Sequence, residues 1–375
     1  VNKKNILIIA TAATDGGALT ILCQLLNVVS KTEHNYTVLI NESTFDKLPH
    51  YNNINYICIN TKNWISRILF DFYRLDKFLK KKGMIFDTCI NMQNIPVRIK
   101  KIKQFVYMHQ SIPFSDLNFS PLSSKERLLW LYKKFYIFFI KANLPFADYF
   151  IVQTKWIKNE LVSKLNVESD NVLVIKPSLP EIPEIPEIPE IPEIPECPKS
   201  GNIKNIIFYP ATAFSYKNHE VLINALGIIG KDFLEENDIK LVLTINKNEL
   251  SNFVSSLIDK HRLSDSIIFL GRIDKNKVSE LYSRTRIMAF PSRLETFGLP
   301  LLEAAYYGLD ILASDLPYSK EVLSEYNKAS YCDPMDAKIW ADKIKQKMSC
   351  DEKKPAKRIN YADGWDDLMH VINRV

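Results

Sequence analysis

Two carboxylates eight positions apart, Glu295 and Glu303, bracket the segment Thr296-Phe297-Gly298-Leu299-Pro300. Upstream lies the apolar run Ile287-Met288-Ala289-Phe290, and downstream Leu301, Leu302, Ala304 and Ala305 follow the proline. The first run reads as a buried parallel strand, and the proline shortly after a glycine reads as the onset of a helix. A helix N-terminus offers unpaired N–H groups and a partial positive charge, and Gly298 lets a ligand approach the backbone, so this spot suits a phosphate. A carboxylate accepts hydrogen bonds from paired hydroxyls, which suits a ribose or a hexose. The alternative is a solvated Glu295 and a Glu303 that merely complements the helix start; the residue chemistry leaves both readings open.

Four further features could share this chemistry. Lys217 stands at the start of a helix after the strand Asn205–Tyr209, where it is either a phosphate ligand or a solvated helix residue. Asp15-Gly16-Gly17-Ala18 follows the first strand; its glycines would let backbone N–H groups face an anion, although an ordinary tight turn explains them equally. His109 closes the run Tyr107-Met108-His109, and a lone histidine is more often structural than catalytic. Arg272 follows Leu270-Gly271 in a loop, as a base or phosphate contact or as a surface arginine on a turn.

Glu295 and Glu303, with Phe297-Gly298-Leu299-Pro300 between them, resemble the Glu-x7-Glu signature of retaining glycosyltransferases of the family 4 type, which have the GT-B fold. The resemblance implies that Glu303 holds the ribose of a nucleotide-sugar and that Glu295 meets the donor sugar, with the backbone of Thr296, Phe297, Gly298 and Leu299 beside sugar and phosphate. It further implies that Lys217 binds the diphosphate, that His109 stands against the donor sugar, that Gly16 and Gly17 form a loop between donor and acceptor, and that Arg272 borders the base. Catalytic roles then fall to Lys217, Glu295 and His109. The chain departs from the family pattern twice: Thr296 stands where a glycine is usual, and Thr212 where an arginine is usual.

The elements that must position these residues follow from apolar periodicity. Strands fit Asn5–Ala10, Thr37–Asn41, Ile54–Asn60, Phe86–Met92, Gln104–His109, Tyr149–Thr154 and Val172–Lys176 in the first half. In the second they fit Asn205–Tyr209, Lys240–Ile245, Ile267–Leu270, Ile287–Phe290 and Ile311–Ala313. Helices fit Leu19–Val29, Trp64–Lys82, Lys125–Asn143 and Lys155–Leu165. Such alternation predicts an α/β protein with doubly wound parallel sheets, whose ligands gather at the carboxyl ends of strands. With the resemblance this becomes GT-B: two Rossmann-like domains facing a cleft, residues 1–179 on the acceptor side and 201–355 for the nucleotide-sugar, with 356–375 a C-terminal helix crossing back to the first. Between the domains, Pro180-Glu181-Ile182 repeats as far as Pro198. Proline at every third position removes donors and fixes φ, which predicts a stiff polyproline II spacer over 180–200. The aromatic, lysine-laced segment Lys125–Lys141 reads as a core helix in the main, with an interfacial face allowed.

With 375 residues, 46% of them hydrophobic, the chain can bury two cores. The six cysteines are scattered without zinc spacing and read as reduced thiols of a cytoplasmic protein, and no metal and no cofactor is expected, the nucleotide-sugar being a substrate. Lys3-Lys4 before an apolar run mimics a signal peptide, but Asp15-Gly16-Gly17 is better explained as the turn after a first strand. No apolar run is long enough to span a bilayer. Residues 1–180 hold 24 Lys and Arg against 13 Asp and Glu, whereas 201–375 hold 24 of each, so the basic excess belongs to the first half. No nucleic-acid motif accompanies it, which favours an anionic membrane surface or a lipid-linked acceptor over nucleic acid. The function expected is transfer of a sugar to a glycan or lipid-linked glycan in lipopolysaccharide or capsule synthesis, peripherally on the inner face of the membrane. The alternatives are a nucleotide-sugar-binding subunit without turnover and a GT-B sugar epimerase.

Overall fold

The computed structural model describes residues 3–60, 64–179, 205–349, 359 and 361–375. The Pro-Glu-Ile spacer lies outside the described residues. The chain forms two compact units: residues up to Ser178 joined by Ala362–Val375, and Leu179–Tyr361.

The first unit is built on seven strands: β1 (Asn5–Ile9), β2 (Asn35–Asn41), β3 (Ile54–Ile59), β4 (Thr88–Asn91), β5 (Lys103–Tyr107), β6 (Tyr149–Val152) and β7 (Val172–Val174). They pair in parallel in the order β3-β2-β1-β4-β5-β6-β7, with Ile8 opposite Val38 on one side and Ile90 on the other. Helices cover both faces, so β1 and β4 are buried along almost their whole length, and β1 reads as a continuous apolar run rather than an alternating one. The second unit repeats the plan with β8 (Asn205–Tyr209), β9 (Ile239–Leu243), β10 (Ile267–Phe269), β11 (Ile287–Phe290), β12 (Asp310–Ser314) and β13 (Ala329–Cys332), all parallel, in the order β10-β9-β8-β11-β12-β13. Both orders reverse direction beside the first strand of the unit, between β1 and β4 and between β8 and β11. Crevices at the carboxyl ends of such a reversal are where open α/β sheets bind ligands.

Several expectations are corrected. Strand β13 went unread because Ala329-Ser330-Tyr331-Cys332 lacks an apolar run; it is an edge strand, buried only at Cys332. Strand β5 stops at Tyr107, which leaves His109 in the loop beyond it. The helix expected over Trp64–Lys82 is interrupted by a π turn at Phe70–Arg74, between α-helical Trp64–Leu69 and Leu75–Lys81. The aromatic helix, observed over Arg127–Asn143, is not mainly core. It buries Leu129, Ile140 and Asn143, and it exposes Leu128, Leu131, Phe135, Phe138 and Phe139. Ile140 joins Val106, Phe150, Val152, Ile157 and Leu161 in the apolar layer on that side of the sheet.

The helix Trp365–Arg374 belongs to the first unit. Its apolar face (Trp365, Leu368, Met369, Ile372) is buried, and the Trp365 ring stacks on Tyr107 with 6.2 Å between centroids. Gly364 makes the approach possible: a Cβ there would stand 3.0 Å from Lys176 N and 3.1 Å from Ile175 Cα, both backbone atoms that cannot yield. Polar bonds close the other end. Lys4 Nζ donates to Ile372 O at 2.8 Å, and Lys4 N donates to His34 Nδ1 at 3.1 Å. That bond puts the imidazole proton on Nε2, which donates to Asn373 Oδ1 at 2.7 Å.

Candidate active site

In the second unit, the loops leaving β8 and β11 carry the residues singled out in the sequence. After β8, a short 3₁₀ turn at Ser215–Lys217 delivers Lys217. After β11, the loop from Pro291 delivers Glu295. Lys217 Nζ and Glu295 Oε1 are 2.5 Å apart, and the two side chains are 15% and 14% exposed. A pair this enclosed is held by its surroundings, since losing one partner would strand the other charge in a low-dielectric site.

The two loops are stitched together. Arg293 N donates to Tyr216 O at 2.7 Å. Asn218 adopts the left-handed conformation (φ 59°), which asparagine tolerates, and its Nδ2 donates to Pro291 O at 3.2 Å and to Pro334 O, beyond β13, at 2.7 Å. Tyr209 Oη donates to Lys217 O at 2.7 Å. The Tyr216 ring lies 5.3 Å from Lys217 Nζ in cation–π contact and stacks on Phe214. Burial, and then the charge of Glu295, push the phenols of Tyr209, Tyr216 and Tyr318 up, so all three remain neutral donors around the carboxylate. His219, packed on Tyr209, is held neutral with its pKa down to about 3 by burial and by the neighbouring Lys217 charge.

Gly298 begins the helix Leu299–Tyr306 with φ at 92°, a conformation that only glycine adopts without strain. Pro300 has no N–H, and that of Leu301 is bonded to Gly298 O at 2.9 Å. The anion-binding capacity of this helix end therefore rests on the amides of Gly298 and Leu299. Glu303 lies one turn on. Burial raises its pKa, opposed by the hydrogen bond from Tyr282 and the charge of Lys275, and Tyr282 Oη donates to its Oε2 at 3.0 Å. The Phe297 side chain is buried near Tyr361, and Thr296 is partly exposed. Arg272 is exposed after β10, the edge strand, two strands removed from the β8/β11 reversal.

The remaining residues lie in the first unit, also at carboxyl ends of strands. Gly16 (φ 56°) and Gly17 open the helix Gly16–Val29 after β1, with no atom within 4 Å of the position a Cβ would take on either. His109 lies beyond β5 and is tied to Asn94, beyond β4. The His109 N–H donates to Asn94 Oδ1 at 2.6 Å, and the His109 Nε2 and Asn94 Nδ2 atoms are 3.1 Å apart. Burial and the charge of Arg67 lower the pKa of His109 to about 4, so the ring is neutral at pH 7.

The structure thus brings Lys217, Glu295, Gly298, Leu299 and Glu303 to one edge of the second sheet. Residues that the sequence left unread there are Tyr216, Asn218 and Tyr282. Tyr216 and Asn218 flank Lys217 and could have been found from that adjacency. Tyr282 looks like any core residue of the helix Lys275–Arg284 and gave no signal.

Residues 191–365 match the family described as Glycosyl transferases group 1. The matched stretch takes in most of the second unit, which is thus similar in sequence to that family. In sequence, the chain is 22% identical over 216 residues to the O-antigen chain mannosyltransferase RfbU of Salmonella typhimurium, a match covering 58% of this chain and 55% of that protein. The match thus spans about half the length of this curated relative. In structure, it is similar to a glycosyltransferase from Rickettsia africae (TM-score 0.67, 20% identity, covering 100% of this chain and 94% of the other). It is also similar to WaaG, a glycosyltransferase involved in lipopolysaccharide biosynthesis (TM-score 0.65, 14% identity, 92% and 90% covered). The two parallel sheets and these neighbours make the fold GT-B.

Proposed function

We propose that the protein is a glycosyltransferase that moves a sugar from a nucleotide-sugar to a glycan or lipid-linked glycan in surface polysaccharide synthesis. The observation that carries this reading is the Lys217–Glu295 pair beside the Gly298 helix start and Glu303, at the strand reversal of a unit similar in sequence to the glycosyl transferases group 1 family. In this reading Glu303, oriented by Tyr282, accepts the ribose hydroxyls, and Glu295 accepts a hydroxyl of the donor sugar. Lys217 exchanges part of its contact with Glu295 for the diphosphate. As the bond from the anomeric carbon to the diphosphate oxygen breaks, negative charge grows on that oxygen. Lys217 and the amides of Gly298 and Leu299 then hold more charge than in the ground state, which lowers the barrier. The acceptor hydroxyl attacks the anomeric carbon and its proton passes to the departing diphosphate, on the same face, with retention, as the family 4 resemblance implies. Lys217 supplies the positive charge, so we write the step without a metal ion.

Similarity to the mannosyltransferase RfbU puts mannose first among the sugars to try. The excess of Lys and Arg in residues 1–180, and the exposed Phe135 and Phe138 beside Lys134, support a peripheral site on an anionic inner membrane face for that half. The test is release of nucleoside diphosphate from a panel of GDP- and UDP-sugars, with and without a lipid-linked glycan extract. One donor should give acceptor-dependent release that Lys217→Ala slows by about 10²–10³-fold. Binding without release would leave a donor-binding subunit, and acceptor-independent conversion of the donor an epimerase; either result overturns the transferase reading.

A further inference from the structure

Beneath the aromatic helix Arg127–Asn143, wholly within the first unit, lies a cavity of about 270 Å³ that the donor chemistry above does not use. Its walls are largely aromatic, with Phe72, Tyr132, Phe135, Tyr136 and Phe139 contributing rings. Its floor is polar: Asp71 and Gln93, each only 6% exposed, and Arg67. Asp71 stands in the π turn Phe70–Arg74, a local widening of the helix of a kind that gathers at functional sites. Two buried acceptor atoms on this floor, Asp71 Oδ1 and Gln93 Oε1, have no hydrogen-bond partner among the described residues. The Gln93 amide nitrogen is already committed to Thr11 Oγ1 at 2.5 Å, so its buried oxygen is the group of that side chain left without a partner.

An unpaired buried acceptor forfeits the hydrogen bonds it made to water, and two at the bottom of one cavity ask for a ligand that brings donors. A hydrocarbon chain would leave both unanswered. A phosphate would bring acceptors to acceptors and set its charge against the Asp71 carboxylate. A sugar ring answers both, since its hydroxyls donate to carboxylate and amide oxygens while its C–H face packs on aromatic rings. We propose that this cavity binds one pyranose ring of a glycan, with hydroxyls donating to Asp71 Oδ1 and Gln93 Oε1, Arg67 donating to a ring or hydroxyl oxygen, and the walls enclosing the apolar face. The assignment rests on the reading of the protein as acting on a glycan, and it adds the residues that select it. The cavity adjoins the strand edge of the first unit: Gln93 O accepts from Tyr136 Oη at 3.1 Å, and the next residue, Asn94, is the partner of His109. Burial raises the Asp71 pKa to about 7, partly offset by Arg67, so near neutrality its carboxyl can both accept from and donate to hydroxyls.

The test titrates the whole chain with methyl α-D-mannopyranoside, methyl α-D-glucopyranoside and methyl α-D-galactopyranoside, followed by saturation-transfer NMR. Two variants are compared with the wild type. Asp71→Leu removes an acceptor together with its unpaired buried carboxyl, and Leu131→Trp fills the mouth from a partly exposed position. At least one glycoside should bind, and both variants should weaken it tenfold or more while GDP and UDP binding stay within twofold of wild type. No glycoside binding, binding in both variants unchanged from the wild type, or displacement by farnesyl phosphate alone would overturn the assignment, the last in favour of an apolar-chain site. Nucleoside diphosphate binding is read on the same samples. Its failure with glycoside binding intact removes the donor reading and spares the cavity, whereas the reverse removes the cavity alone.

Discussion

Lys217 and Glu295 come from loops 78 positions apart and meet at 2.5 Å in a site that leaves each about one-seventh exposed. On the proposed mechanism, replacing Lys217 by alanine removes charge that matters most as the diphosphate departs. We expect kcat to fall by about 10²–10³-fold, with a smaller change in donor affinity, in steady-state assays. Tyr282→Phe probes a different role. It deletes one hydrogen bond to the Glu303 carboxylate, worth about 1.5–3 kcal/mol for a charged acceptor, and should weaken nucleoside diphosphate binding about tenfold by calorimetry while kcat stays near wild type. Titration supplies a third expectation. The Asp71 carboxyl has a raised pKa in the fold, so its contribution to stability is complete at pH below its unfolded value near 4 and is lost as pH climbs to about 7. Relative to Asp71→Leu, the unfolding free energy of the wild type should therefore drop by about 1.4 kcal/mol per pH unit across that window and run parallel outside it, in denaturant titrations. His109, lowered to about 4, has the opposite sign: it costs stability as pH falls from 6.5 to 4, so the two groups partly mask each other in the wild type. At this scale the sequence disclosed what chemical type and spacing disclose. Glu295, Gly298 and Glu303 announced themselves as a motif, whereas Asp71 and Tyr282 matter through burial and through partners distant along the chain, which a one-dimensional reading does not contain.

Among the elements, strands buried on both faces were legible from their apolar runs, and β8 and β11 appear at the bounds their residues predict. Strand β13 was not, because an edge strand need not be apolar, and its pairing with β12 is decided by backbone bonds. The aromatic helix Arg127–Asn143 misled for a different reason: composition gives how much apolar surface exists but not which side of the sheet layer it meets. Its two faces should respond differently to substitution. Ile140→Ala opens a gap in the core and should cost about 2–5 kcal/mol, whereas Phe138→Ser, at 67% exposed, should change stability by less than about 0.5 kcal/mol. The same Phe138→Ser should reduce binding to anionic vesicles, and that binding should weaken as salt is added, if this face meets a membrane. The helix Leu299–Tyr306 depends on one glycine. Gly298→Ala imposes a left-handed conformation on a residue with a Cβ, which would also stand 3.3 Å from Leu301 Cδ1. It should destabilise the second unit by about 1–3 kcal/mol and lower donor affinity together, as seen by thermal melting and nucleotide titration.

For the molecule as a whole, the doubled α/β rhythm and the break at the Pro-Glu-Ile repeat made two parallel-sheet bodies legible from the sequence, while the tight seating of the last helix was not. Gly364 carries no motif, yet a Cβ there would press on the backbone of Ile175 and Lys176, and Trp365 fills the space beside Tyr107. Trp365→Ala should cost about 3–5 kcal/mol, and hydrogen exchange should show the loss in the first unit with the second unit unchanged. Because Ala362–Val375 belongs to the same body as the residues up to Ser178, the second unit is an insertion within the first. On the ribosome the order of completion is therefore inverted. The segment Leu179–Tyr361 has all its own partners as soon as it has emerged, while the earlier-made body must wait for Ala362–Val375 before Trp365 and Ile372 can dock. A nascent chain halted at Tyr361 would carry a finished second unit and an unfinished first, with the apolar surface around Tyr107 still open to chaperones.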